Sequence, residues 1–214
     1  MKDPWAISID IEGFSKHYEY DEGQKTYAIL ALGELMKSVF LVGRRCFPGT
    51  PEKNFSEALF AHQYGDGFIV GSAFPEPDTS RPIAIAVAIM RHMTLKGYAV
   101  KTAISTGDLS DIRGCYPEPM RDAQNDGLDL GRGLMTIISV MGTALIKAHK
   151  LATTRKGAVL ILDTQLVESG LPVGTKIRDL SSNCIDWVSS DLPLADEIAR
   201  QSQLRTANAK ELCE

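Results

Sequence analysis

An α+β fold is predicted for these 214 residues: a mainly antiparallel sheet with helices on one face, its core resembling the split β-α-β unit of ferredoxin-like or palm folds. Three observations predict it. Near the start, Ile7, Ile9 and Ile11 alternate with Ser8 and Asp10, the period of a half-buried strand. Two further β segments are joined by the dipeptide Gly65-Asp66, a hairpin signal. Finally, helical and strand-like stretches follow one another as strand, helix, hairpin, helix, strand, arm, strand, helix, strand.

Each element has its own warrant. The first strand covers residues 6–11. Asp21 can cap a helix over 24–42, where Ala28, Leu32, Leu35, Met36 and Val39 recur at helical spacing. Prolines and Gly49 break the pattern over 47–51. The hairpin spans 58–64 and 67–74; Gly65 suits the first central position of a type II′ turn, which puts Asp66 at the tip. After a second break at 75–82 come a compact apolar helix over 83–95 and a strand over 99–106. Residues 108–133 are rich in Gly, Pro and Asp and read as an arm or lid. A strand at 134–141, a helix at 142–153, a strand at 158–162 and a short helix at 164–169 follow. A small hairpin of 177–180 with 184–188 ends the ordered pattern, and residues 206–214 read as a frayed tail.

Length and a 44% hydrophobic content are those of one domain with a real core. A net charge of −4 argues against nucleic-acid binding, which needs a basic face. The four cysteines, Cys46, Cys115, Cys184 and Cys213, are scattered with no C-x-x-C pair, so neither a zinc site nor a disulfide framework is expected. The apolar run at 83–90 is too short to cross a bilayer, and Met1 to Trp5 lead straight into a strand. The expectation is a cytoplasmic protein with no membrane segment.

Chemistry concentrates in two places. Asp10 ends the first strand, and Asp66 sits at the hairpin tip. Singly, each is an ordinary turn former. Together they could hold two divalent cations, Mg²⁺ or Mn²⁺, because hard oxygen ligands suit these ions. Such a pair is the usual machinery for in-line displacement at phosphorus. Behind Asp10, the amides of Gly13, Phe14 and Ser15 open a helical turn that can cradle phosphate oxygens.

The segments around these acids resemble a known family. Asp10-Ile11-Glu12-Gly13-Phe14-Ser15 is similar to the first metal motif of the class III nucleotidyl cyclases, and Tyr64-Gly65-Asp66-Gly67-Phe68 to the second. Residues 100–107, Val-Lys-Thr-Ala-Ile-Ser-Thr-Gly, resemble the family strand Arg-x-Gly-Ile-His-Thr-Gly. Residues 140–151 resemble Trp-Gly-Asp-x-Val-Asn-x-Ala-x-Arg-Leu. The four blocks stand in family order over roughly residues 6–165. The resemblance implies that Asp10, Asp66 and the carbonyl of Ile11 bind two metal ions. It implies a nucleoside triphosphate substrate, a 3′,5′-cyclic nucleotide product, and a head-to-tail homodimer with interfacial sites.

Departures from the family pattern bear on catalysis and on base choice. The ribose-orienting asparagine falls on Ile146, the transition-state arginine on Lys150, and the phosphate-binding arginine on Lys101. Lysine keeps the charge and loses the bidentate fork; Arg113, Arg121 or Arg132 in the arm are candidate sources of a guanidinium. The two purine-reading positions carry His62 and Ser139, which match neither the adenylate nor the guanylate pair. That combination resembles the compact bacterial Pycsar cyclases, which make cyclic UMP or CMP to activate a separate antiphage effector protein. UTP is the expected substrate; CTP, a purine nucleotide, and a non-catalytic nucleotide sensor are the alternatives. Diguanylate cyclases share the two-acid logic, but this chain has Tyr-Gly-Asp-Gly-Phe where they carry a Gly-Gly-Asp/Glu-Glu-Phe turn.

Overall fold

The computed structural model describes residues 3–47, 49, 59–74, 76–120, 127–129, 131–206 and 212. Its centre is strand β1 (Trp5–Ile11). The strand pairs antiparallel with β3 (Gly67–Ser72) on one side and with β4 (Val100–Thr106) on the other. β2 (Leu59–Tyr64) closes the hairpin with β3. Beyond β4, strand β9 (Leu160–Leu162) adds in parallel, and β10 (Ile177–Asp179) and β11 (Cys184–Ile185) complete seven strands in the order β10-β11-β9-β4-β1-β3-β2.

The alternation in β1 separates two cores. Trp5, Ile7, Ile9 and Ile11 face a large core shared with three helices, α2 (Glu22–Cys46), α3 (Ser80–Leu95) and α6 (Pro193–Gln201). These form the expected helical layer. Ala6 faces the opposite way, toward α4 (Thr143–Ala152), whose Ala144, Leu145 and Ala148 pack there with Val140. Small residues at 6, 144 and 148 let the helix lie close to the sheet. α3 is apolar on every side because it is sandwiched: residues 82 to 93 are all buried. Its Arg91 is stabilised in that setting by the carbonyls of Trp187 and Ser190 and by Asp196 at 3.1 Å.

Several expectations needed adjustment. α2 is longer than its apolar pattern suggests, because Asp21 accepts from the Gln24 amide and starts the helix at Glu22. A further helix, α1 (Phe14–Tyr20), joins β1 to α2. The stretch 134–141 is not one strand. β7 (Leu134–Thr136) pairs with β6 (Gly127–Asp129), whereas β8 (Val140–Met141) pairs with β5 (Ser110–Asp111). Single-turn 3₁₀ segments at Arg113–Cys115 and Glu118–Met120 and these short ladders make up the described part of the arm. Residues 121–126 and 130 of the arm, and most of the tail from 207 onward, lie outside the described residues. The last small helix is α5 (Thr164–Glu168).

Candidate active site

Strand register explains why two acids far apart in sequence meet. Asp10 is opposite Gly67 in β3 and opposite Lys101 in β4. Gly67 directly follows Asp66, so the hairpin tip lies over the end of β1. Gly65 takes φ 59°, while Asp66 keeps a negative φ, the sign pattern of the type II′ turn. The carboxyl groups of Asp10 and Asp66 come close enough to hydrogen-bond when one is protonated.

This approach depends on the missing side chain at position 67. A Cβ there would lie 2.3 Å from the Ile9 carbonyl oxygen and 3.1 Å from Asp10 Oδ1. Both acids, together with Lys101, Ser8, Tyr64 and His149, line a cavity of about 150 Å³ at this end of the sheet. Lys101 Nζ stands 3.5 Å from Asp10 Oδ2 and 3.7 Å from Glu12 Oε2. The lysine is therefore a cross-strand counter-ion of the acids as well as a cation at the cavity wall.

Burial pushes the Asp10 carboxyl up to about 6, with the neighbouring Asp66 charge adding to the rise and Lys101 opposing it. The pair is thus short of positive charge. Among the described residues no group of three or more His, Cys, Asp or Glu gathers anywhere. Two carboxylates with open oxygen positions fit a cation that takes its remaining ligands from substrate phosphates and water. The residues present therefore fit Mg²⁺ or Mn²⁺, and the carbonyl of Ile11, next along β1, is the third expected ligand.

A stability prediction follows from that crowding. Because the folded-state value of about 6 exceeds the ordinary 3.8, the protonated acid favours the folded protein below pH 3.8, and this advantage is lost as pH rises through 6. Asp10→Asn should therefore stabilise the metal-free protein at pH 8, by about 1 kcal/mol after solvent screening of a side chain 34% exposed. The gain should shrink toward pH 4. Added Mn²⁺ should raise the thermal midpoint of the parent protein and not that of the variant. Melting curves at both pH values, with and without Mn²⁺, check this.

The other expected site residues divide into groups. His62 and Lys150 line a second, apolar cavity of about 310 Å³, with Phe60, Ile138, Val140 and Ile146. There the His62 ring lies parallel to Phe60, centroids 6.2 Å apart. Ser139 is buried, its carbonyl accepting from the Ile112 amide, and it does not line this cavity as its neighbours Ile138 and Val140 do. Gly13, Phe14 and Ser15 begin α1 just past β1, outside the lining of either cavity. Arg113 is engaged by Asp111, at 2.9 Å from Nε to Oδ2, and Arg121 lies outside the described residues. Sequence reasoning missed Tyr64 and His149, whose rings meet edge to face at 5.0 Å and form the wall between the two cavities.

No family model matches the sequence, and no curated protein does. Among solved structures, the chain is similar to a dimeric guanylyl cyclase domain of the RhoGC fusion protein from the aquatic fungus Blastocladiella emersonii. The TM-score is 0.50 at 13% identity, over 86% of this chain and 94% of that one. A monomeric double mutant of that domain gives 0.51 at 12% identity, over 86% and 93%. A class III adenylyl cyclase-like ATP-binding protein from Pseudomonas aeruginosa matches 98% of this chain and 41% of its own, at 15% identity and a TM-score of 0.46. The fold is that of these guanylyl cyclase domains.

Proposed function

We propose that this chain is a nucleotide cyclase, converting a nucleoside triphosphate to its 3′,5′-cyclic monophosphate and pyrophosphate. The observation that carries the proposal is the meeting of Asp10 and Asp66 in one cavity, on a class III cyclase fold. In the reaction the ribose 3′-oxygen forms a bond to the α-phosphorus, and the bond from that phosphorus to pyrophosphate breaks. Asp10 and Asp66 would hold the divalent cations, which would supply activation of the hydroxyl and charge neutralisation at the phosphates. Lys101, anchored by Asp10 and Glu12, brings a cation to the same wall. Gly13, Phe14 and Ser15 offer amides to the phosphates past the end of β1.

Lys150 lines the apolar cavity and not the carboxylate cavity of its own chain. A head-to-tail homodimer would bring the Lys150 of one subunit to the phosphates held by the other, so that each site is completed by two chains. The nucleotide base would then enter the apolar cavity beside His62.

The substrate we favour is UTP. The support is chemical: His62, on the apolar cavity, can donate to a pyrimidine carbonyl, and neither His62 nor Ser139 belongs to a purine-reading pair; Ser139 does not line that cavity, so the base contact falls to His62. Cyclic UMP made by such an enzyme would act on a separate effector protein in antiphage defence. Incubation of the purified protein with each of the four ribonucleotides and Mn²⁺ tests this. Turnover of UTP exceeding the others by at least about tenfold is expected. Turnover confined to ATP or GTP would overturn the base assignment and leave the cyclase standing; turnover confined to CTP would keep a pyrimidine and change which one.

A further inference from the structure

Helix α2 has two apolar sides, and only one of them is used. Ala31, Leu35, Val39 and Val42 are buried in the large core. Pointing outward, Ile29, Leu30, Met36 and Phe40 remain 45–58% exposed. A surface helix normally turns a polar stripe to solvent. Here an 18-residue stretch has a mean hydropathy of 1.4 with only a third of it buried.

The outward residues also have a period. Glu22, Thr26, Ile29, Gly33, Met36 and Phe40 follow one another at alternating steps of four and three, and all six are exposed. That is the 3.5-residue repeat of a coiled-coil seam, sustained over most of the helix. At its middle lies Gly33, where a Cβ would meet nothing within 4 Å. A notch flanked by bulky side chains is a hole for a knob from another helix.

We propose that this seam pairs with the same seam of a second copy of the chain, the two helices running antiparallel. A two-fold axis between Gly33 and Met36 places Met36 of each copy in the Gly33 notch of the other. The same axis sets Ile29 of one copy against Phe40 of the other. The charges agree with this direction. Glu22, almost fully exposed and 3.9 Å from Lys25, stands at one end of the seam just after Glu19 and Asp21, and Arg44 and Arg45 stand at the other. Antiparallel pairing brings Glu22 within a turn of the partner copy's arginines, whereas parallel pairing stacks like on like. A lipid surface is the competing occupant of an apolar helix face; Glu22, Thr26 and Gly33 interrupt the apolar stripe that membrane burial needs, and the vesicle measurement below separates the two occupants. The seam lies on the side of the sheet opposite α4, so this contact is separate from the face that carries His62 and Lys150.

Sedimentation of the full chain, with Phe40→Glu and Gly33→Glu beside it, tests the proposal. Both positions are exposed, and glutamate is a better helix former than glycine, so the folded state survives. Each variant should halve the particle mass at a given concentration, with the dissociation constant of the contact weakened by about thirtyfold or more. Direction is read by oxidative cross-linking in a Cys115→Ser, Cys213→Ser background. Ile29→Cys mixed with Phe40→Cys should give a mixed disulfide, and either alone should give little. Unchanged mass in both glutamate variants overturns the proposal. So does flotation on phosphatidylcholine–phosphatidylserine vesicles that Phe40→Glu abolishes while the mass stays the same, which assigns the face to lipid. Equal cross-linking of each single cysteine variant with itself overturns the antiparallel arrangement.

Discussion

Asp66→Ala is expected to lower cyclic nucleotide formation on the order of a thousandfold while leaving the protein folded. The argument is electrostatic. Asp66 and Asp10 face the same cavity, and burial with mutual repulsion already holds the Asp10 carboxyl near 6. Removing Asp66 relieves that repulsion, so the folded protein loses nothing by it. On the proposed reading it would lose one of two anionic ligands, and with it the cation between enzyme and phosphates. A hairpin tip needs no carboxylate for its own geometry, since Gly65 supplies the positive φ. Product measured by chromatography in Mn²⁺ checks the activity, and the thermal midpoint checks the fold. If the variant turned over like the parent, the metal assignment would be wrong. If neither protein made product while both bound nucleotide, the chain would be a sensor rather than an enzyme.

Gly67→Ala should be the most damaging single-methyl change near the site, costing about 2–4 kcal/mol of stability. An added Cβ would lie 2.3 Å from the Ile9 carbonyl oxygen, in the backbone of the neighbouring strand. No side-chain rotation can relieve a backbone clash, so β3 must move away from β1. That movement breaks the Asp10–Gly67 register and separates the two acids. A fall of roughly 5–12 °C in the thermal midpoint is expected for a chain of this size. Activity should fall further than the loss of folded protein accounts for, because the acids are displaced even in molecules that remain folded. A Gly67→Ala protein with the parent's midpoint and turnover would show that the strands are not so tightly apposed.

Much of this architecture is legible in local pattern, for a physical reason. β1 is buried on both faces, not half-buried as its alternation predicts, because a core lies on each side of the sheet; the alternation instead separates Ile7, Ile9 and Ile11 on the large core from Ala6 on the smaller one. The hairpin is legible because turn type demands glycine at 65. α6 was missed because it is short, though Pro193 in its first turn and the buried Ala195, Ile198 and Ala199 are visible in retrospect. The split of 134–141 into two strands depends on which partner each half finds, the nearby Asp129 or the distant Asp111, and no local period encodes that. The same limit applies to the site. Asp10 and Asp66 could be paired because each stands at a strand-turn junction of a recognisable motif. The bridging of Lys101 to Glu12 and the ring contact of Tyr64 with His149 join separate elements through tertiary packing alone.

The central position of β1 has a consequence for how the protein is made. Its antiparallel neighbours are both far downstream: Asp10 finds its partner in β4 only after roughly 90 further residues have been synthesised. Until then β1, with Trp5, Ile7, Ile9 and Ile11, has at most its β3 edge paired and the other edge open, the kind of segment that sticks to other nascent chains and that chaperones hold. The carboxylate cavity takes part of its lining from residues as late as Thr153, so translation must pass α4 before its wall is complete.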